Sequence, residues 1–439
     1  MRVQLCLQKL TIGEPKYMKC RVEQSRLNGV LACPPNKSYT HRSIFLASLV
    51  NGKSLIKNVL RSRDTNATIE ICRQLGAEIT EAGNNLKIKG ISKYEKEELT
   101  LDASNSGTTI RIAAAISALR ESKTTLTGDE SLVKRPMKPL LEALEALGAK
   151  CSSNDGRPPL QITGKIIGGQ VSIPGDVSSQ FISALFIAAP LTEKGISINI
   201  SSELVSKPYL DATIFTMKKF GVEVETITRY KKYHISPQHY KHATVTIPSD
   251  FSSVALLLSA AVLNGENFTV KVSIGELAQG DETIIDILTQ MGADVSLNNN
   301  IIKVKCHDRL SGGRFDLSNT PDLLPPLAIL GLKCNSPLEF YNVKHARFKE
   351  TDRIAILVRE LKKLGLEITE KDDGMVIMPP TSLRGAELNS EDDHRLFMAF
   401  CIAGMYVGNC TVSDPESVDV SYPSFIADMN RVGAKITTI

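Results

Sequence analysis

Basic side chains recur in this chain where an α-helix least favours them. Lys37 and Arg42 flank the start of an apolar run in NKSYTHRSIFL, and Arg111 follows a Gly/Ser/Thr loop in SNSGTTIRI. Arg135 stands immediately before Pro136, a candidate first-turn proline, in VKRPMKPLLEAL. Arg353 follows Thr351 and Asp352, and Arg395 follows Asp392 and Asp393 in DDHRLFMAF. A helix N-terminus carries partial positive charge and free N–H groups, so each cation there costs about 0.3–1 kcal/mol. A bound anion relieves the conflict, because N–H groups, helix dipole and guanidinium then share one partner. A salt bridge to a neighbouring carboxylate competes as the explanation of any single case. Five such starts together point to convergent anion binding, and five or six cations exceed the need of one phosphate.

Uncharged groups suited to ligand contact lie nearby. Gly107 in SNSGTT allows close approach of backbone to a ligand. Ser178, Ser179 and Gln180 open an apolar segment, where plain capping also accounts for them. Ser206 and Tyr209 occur in SKPYLD. The acid–base candidates are Asp322, Glu350 and Lys37, with Lys349 adjacent. Asp322 heads PDLLPPLAIL and could act simply as a cap, and Glu350 could simply pair with Lys349 or Arg353. His394, between Asp393 and Arg395, could orient either neighbour. His239 and His242 form no metal-binding spacing. Sequence signatures of phosphate-loop NTPases, dinucleotide-binding folds and α/β-hydrolases are absent; GKS at Gly52 lacks the upstream glycine.

The elements that position these residues repeat. Six segments end in an apolar residue followed by Gly: LGAEI, LGAKC, FGVEV, MGADV, LGLEI and VGAKI. Their glycines are Gly76, Gly148, Gly221, Gly292, Gly365 and Gly433, spaced 72, 73, 71, 73 and 68 residues apart by numbering. Each follows an amphipathic run and precedes a β-prone one, as a helix-ending glycine with positive φ does. A second series opens near Asn36, Asn105, Ser178, Ser252, Asp322 and Asp393. Its bodies, such as FISALFIAA and VALLLSAAVL, are apolar nearly all round and predict buried helices. Each unit therefore holds one core helix, one surface helix and strands such as Val171–Ile173 and Val245–Ile247. Three units can bury their apolar helices together, which predicts two lobes of three units, divided near Pro248.

The 439 residues are 42% hydrophobic and 23% charged, which excludes wholesale disorder. The net charge of +4 is too small for a dedicated nucleic-acid binder and suits small anionic substrates. No apolar run approaches a membrane span, and MRVQLCLQKL has no signal-like core. Met18 is a candidate alternative start. Nine cysteines without a CxxC pair predict a reducing, cytoplasmic setting.

In order, NKSYTHR, SNSGTTIR, the KRP at Arg135, DVSSQF, SKPYLD, QGDE, PDLLP, RFKETDR, DDHR and SYPSF resemble the motifs of the 5-enolpyruvylshikimate-3-phosphate synthase family of enolpyruvyl transferases. The resemblance covers nearly everything after Met18, and RFKETDR with DDHR is its most specific part. It implies an α/β (α+β) fold of two similar lobes, each of three βαβαββ units around buried central helices. The chain would cross near Pro35 and Pro248, making residues 1–35 plus 249–439 one lobe and 36–248 the other. The implied reaction moves the enolpyruvyl group of phosphoenolpyruvate to the 5-hydroxyl of shikimate 3-phosphate, releasing phosphate. The implied protein is a monomer with no metal or organic cofactor and no nucleic-acid or membrane partner. By resemblance, Lys37, Ser38, Arg42, Ser178, Ser179, Gln180, Ser206, Tyr209, Asp322 and Lys349 would hold shikimate 3-phosphate. Lys37, Gly107, Arg135, Gln180, Arg353 and Arg395 would hold phosphoenolpyruvate. Lys37, Asp322 and Glu350 would be catalytic.

The chain departs from the family pattern at three places. Val420 occupies the position of a usual Lys, Ala346 that of an aromatic, and His345 that of an Asn. Other readings are an enolpyruvyl transferase acting on a UDP-sugar, a degenerate binder of shikimate 3-phosphate, and a nucleic-acid clamp. The stretch from Glu130 to Pro139 lacks the cysteine typical of the first. FSSVALLLSAAVL lacks the basic residues the last needs on every unit.

Overall fold

The computed structural model describes residues 18–91, 97–305 and 309–439. The stretch from Met1 that lacks a signal-like core lies outside them, as do Cys6 and Cys306. Among the described residues are six four-stranded sheets of one plan, with two parallel strands beside two antiparallel ones. In one, Leu99–Asp102 runs parallel to Thr124–Thr127, which pairs antiparallel with Arg157–Thr163, itself antiparallel to Lys150–Asn154. Helix Gly107–Ser117 links the parallel strands and helix Lys138–Ala146 precedes the hairpin, so the order is βαβαββ. The fold is α/β.

Three sheets borrow a strand from far along the chain. Lys19–Glu23 pairs with Cys410–Ser413 and Lys435–Thr438, and Leu27–Ala32 runs parallel to Gly265–Lys271. Thr244–Thr246 returns to lie parallel to Lys53–Lys57. Between these pairings the chain passes twice through one place. Asn36 N donates to Pro248 O at 2.8 Å and Asp250 N to Pro34 O at 2.9 Å, around a Pro35–Ser249 bridge.

The buried apolar residues form two clusters. One spans Tyr39 to Ile247; the other joins Cys20, Val22, Leu27 and Leu31 to residues from Phe251 to Ile436. Helix Gly107–Ser117 packs on Lys37–Ser48 and Ser179–Ala188, and helices Phe251–Asn264, Leu324–Ala328 and His394–Val407 pack on one another. Every residue of Phe251–Asn264 is buried, as its mostly apolar surface demands. Helix Arg353–Lys363 instead keeps a polar face of Arg359, Lys362 and Lys363.

All six helix-ending glycines have positive φ. At Gly365 (φ +100°) the requirement is doubled, because a Cβ would stand 2.3 Å from Ser382 O. Two expectations need correction. The segment from Asp322 is not a continuous helix: Leu324–Ala328 is one short α turn set between 3₁₀ turns Pro321–Leu323 and Ile329–Lys333. Pro325 and Pro326 supply no N–H to extend it. Pro136 is likewise not a first-turn residue. Arg135 closes the 3₁₀ turn Leu132–Lys134, Met137 N turns to Gly156 O at 2.8 Å, and the helix begins at Lys138 with Pro139 in its first turn.

Candidate active site

The N-terminal ends of the buried helices meet at one cleft of about 1290 Å³, its open mouth included. Lys37 and Ser38, Gly107 and Thr108, Ser178 to Gln180, Asp250 and Ser252, Asp322, and His394 and Arg395 all line it. Five of the starts are capped. The side chains of Asn36, Ser106, Ser178, Asp250 and Asp393 accept from N–H groups of Tyr39, Thr109, Gln180, Ser252, and both Arg395 and Leu396. The remaining first-turn dipoles still make the cleft attractive to anions.

On one wall, Gly107 lies beneath two guanidinium groups. A Cβ on Gly107 would come within 3.1 Å of Nη1 of both Arg111 and Arg135. These arginines are buried, and the Nε atom of each has no hydrogen-bond partner among the described residues. Burial, aided by the like charge of Arg135, pushes Arg111 down to about 9. Two desolvated cations side by side form a receptor for a compact anion. Arg111 also donates to Gln180 Oε1, whose amide nitrogen donates to Thr108 at 3.1 Å.

On the facing wall, Arg353 gathers three carboxylates. Its Nε donates to Asp393 Oδ2 at 2.8 Å, Nη1 to Asp322 Oδ1 at 2.8 Å and Nη2 to Glu350 Oε2 at 2.7 Å. Arg395 Nη2 lies 3.2 Å from Asp322 Oδ2, and Lys349 Nζ lies 3.7 Å from Asp322 Oδ1. Burial raises the Asp322 carboxyl, but Arg395, Lys349, Arg353 and Lys37 outweigh it and hold it well below the usual range. Glu350 is similarly opposed by burial and held well below by Arg353, Arg135 and Lys37. Burial also lowers Lys349 and the three histidines of the cleft, His41, His394 and His345, the last to about 4, so the imidazoles are neutral.

Contacts join the walls. Tyr209 OH donates to Asp322 Oδ2 at 3.1 Å, and Arg135 Nη1 lies 3.7 Å from Glu350 Oε1. Ser206 holds a left-handed φ of 56° and donates its N–H to Ser318 O at 2.9 Å. Such strain persists only where surrounding contacts fix it. Lys37 sits at the junction, with Nζ 3.1 Å from Asp64 Oδ2 and its backbone N–H 3.1 Å from Asp250 Oδ2.

Every site residue expected from the sequence except Arg42 lines the cleft. Arg42 lies behind the wall, donating to Thr213 Oγ1 at 2.7 Å, Tyr209 O at 3.2 Å and Ser38. The sequence reading gave no role to Asp64, Gln279 or Asp281, which also line the cleft. Asp64 looks like an ordinary acidic first-turn residue of helix Arg63–Gln74. Only QGDE marked Gln279 and Asp281, and without a chemical assignment. Among the described residues no group of three or more His, Cys, Asp or Glu could hold a metal ion.

The family model described as EPSP synthase (3-phosphoshikimate 1-carboxyvinyltransferase) matches residues 22–429. The chain belongs to the EPSP synthase family. It is 61% identical over 419 residues to the 3-phosphoshikimate 1-carboxyvinyltransferase of Nitrosopumilus maritimus, covering 95% of this chain and 99% of the relative. The Methanosarcina mazei enzyme of the same name is 43% identical, covering 96% and 99%. EPSP synthase from Acinetobacter baumannii superposes with a TM-score of 0.80 at 26% identity, over 96% of this chain and 100% of that one. The enolpyruvyl transferase NikO of Streptomyces tendae, at 16% identity and TM-score 0.79 over 97% and 99%, shares the fold.

As an EPSP synthase family member the chain is a transferase of aromatic amino-acid biosynthesis acting on small molecules. No helix among its described residues is long and apolar enough to cross a membrane. Of the three departures from the family pattern, only His345 faces the cleft. Val420 is buried in the turn Pro415–Val420 and Ala346 is buried in the core.

Proposed function

We propose that the cleft transfers the enolpyruvyl group of phosphoenolpyruvate to the 5-hydroxyl of shikimate 3-phosphate, releasing phosphate. The observation that carries the residue assignment is the convergence of six core-segment starts and six cations, Lys37, Arg111, Arg135, Lys349, Arg353 and Arg395, on one cleft. Described residues up to 35, together with those from 249, make one lobe and residues 36–248 the other, in keeping with the two apolar clusters.

Ser38, Ser178, Ser179, Ser206 and Tyr209 hold shikimate 3-phosphate from one lobe, with the charge of Arg42 behind Ser38, and Lys349 meets it from the other. Lys37, Gly107, Arg135, Gln180, Arg353 and Arg395 hold phosphoenolpyruvate. Gln180 and Lys37 lie between the two and touch both. Asp322, kept ionised, accepts the 5-hydroxyl proton as the hydroxyl oxygen bonds to C2 of phosphoenolpyruvate. A proton delivered to C3 by Glu350 completes addition and gives a tetrahedral ketal phosphate. Loss of that C3 proton and departure of phosphate, assisted by Lys37, restore the enol ether.

Glu350 is ionised beside Arg353 and Arg135. Those guanidiniums are the assigned phosphoenolpyruvate ligands, so an anion bound to them cancels the charge that holds Glu350 down. Its carboxyl then rises toward a range in which it can carry a proton. Positioning and charge stabilisation supply the remainder of the acceleration. The protein works as a monomer in the cytoplasm, whose reducing setting keeps the described cysteines as thiols. The deciding experiment is phosphate release from phosphoenolpyruvate with and without shikimate 3-phosphate; release independent of the latter removes this reading.

A further inference from the structure

Arg135 is held by a closed set of contacts on its own side of the cleft. Asp129 Oδ1 accepts from the N–H groups of Ser131 and Leu132 at 3.1 and 2.9 Å, and Asp129 Oδ2 accepts from Asn105 Nδ2 at 2.9 Å. Asn105 Oδ1 in turn accepts from Arg135 Nη2 at 2.9 Å. The same Nη2 donates to Ser131 Oγ at 3.2 Å. The loop 129–135 thus fixes one guanidinium and one hydroxyl in a single frame.

Ser131 Oγ also reaches across the cleft. It donates to the backbone carbonyl of Glu350 at 3.1 Å, although the two residues are 219 positions apart. A serine hydroxyl has one proton to donate and can accept as well. Here the proton goes to Glu350 O while Arg135 donates to the oxygen, so one atom touches both walls. Glu350 is tied at its other end by Arg353 at 2.7 Å. With its main chain and its carboxylate both held, Glu350 presents Oε1 3.7 Å from Arg135 Nη1.

We propose that Ser131 is a positioning residue which registers the Glu350 carboxyl against the Arg135 anion site as the two walls meet. It touches neither substrate and acts through both partners. The inference rests on the assignment of Glu350 as proton donor and Arg135 as phosphoenolpyruvate ligand. Without the hydroxyl, Arg135 keeps Asn105 and Glu350 keeps Arg353. Each group therefore stays in the cleft, and what is lost is their register, on which proton transfer to C3 depends.

The test compares Ser131→Ala and Ser131→Thr with the parent protein, reading kcat and KM for phosphoenolpyruvate, the Kd for shikimate 3-phosphate and the unfolding midpoint. Loss of one such hydrogen bond corresponds to a roughly three- to tenfold fall in kcat for Ser131→Ala. Shikimate 3-phosphate affinity and unfolding midpoint should stay at the parent values, and Ser131→Thr should restore the rate. A parent-like kcat for Ser131→Ala overturns the inference. So does a loss matched by a falling midpoint, or a Thr variant as slow as the Ala one. A parent protein that releases no phosphate in response to shikimate 3-phosphate overturns the functional reading itself, so the two failures are distinct.

Discussion

Arg353 donates to Glu350 Oε2 at 2.7 Å, so a buried arginine assigned to the substrate also governs the carboxyl group assigned to deliver a proton. Glu350→Gln keeps the size and the hydrogen-bond acceptor but removes the acid. Its kcat should fall by roughly 10²–10⁴-fold, with KM for phosphoenolpyruvate changed far less. In the parent enzyme kcat should also decline as pH rises through the pKa of ligand-bound Glu350. Rates in the Gln variant that keep that decline would remove Glu350 from proton transfer.

Lys37 and Asp64 form a second coupled pair at 3.1 Å. Lys37→Ala removes the charge nearest the junction of both substrate sites and should lower turnover by at least about 10²-fold. Asp64→Asn leaves the ammonium in place without its buried counter-ion and should cost less, about tenfold. If the two variants are equally slow in the phosphate-release assay, Asp64 is more than a partner for Lys37.

At Gly107 it is space, not backbone angle, that favours glycine. In Gly107→Ala the methyl group would press on Nη1 of Arg111 and Arg135. The expected result is a KM for phosphoenolpyruvate raised about tenfold, with shikimate 3-phosphate affinity kept. Isothermal titration of each substrate separates the two, and equal weakening of both would show that the wall serves the whole cleft.

Asp281 gives a pH signature of stability. Burial and the negative charge of Asp322 raise its carboxyl to about 7, whereas a free aspartate titrates near about 3.9. Between those values the native state holds a proton that the unfolded chain has lost. This contribution is full below the lower value and fades as pH rises toward 7. Asp281→Asn is neutral throughout, so it should gain stability relative to the parent between pH 5 and 7. Denaturant midpoints test this; a parent-minus-variant difference that is flat across the window sinks the claim.

The parts legible in the sequence were those that local physics constrains. A positive φ after a helix selects glycine, so six glycines marked six units. Cations at helix starts violate a local preference, which singled out Lys37, Arg111, Arg353 and Arg395, all of which line the cleft, before any fold was known. Arg42 was placed beyond its reach, because residue 42 stands one turn after Ser38 and its guanidinium turns to Thr213 and Tyr209. Asp64 meets Lys37 only because helices Lys37–Ser48 and Arg63–Gln74 pack together, which no local pattern encodes. The Ser131–Glu350 contact spans 219 positions and was equally invisible. Pro325 and Pro326 were local clues to a broken helix, masked by the apolar run around them.

Among the described residues, strands Lys19–Glu23 and Leu27–Ala32 find their partners in Gly265–Lys271, Cys410–Ser413 and Lys435–Thr438. During synthesis Leu27–Ala32 waits for Gly265–Lys271, and Lys19–Glu23 for Cys410–Ser413 and Lys435–Thr438, while Tyr39–Ile247 already has every member of its own apolar cluster. The middle of the polypeptide can mature before its ends, and truncation at the C-terminus strands the N-terminus as well.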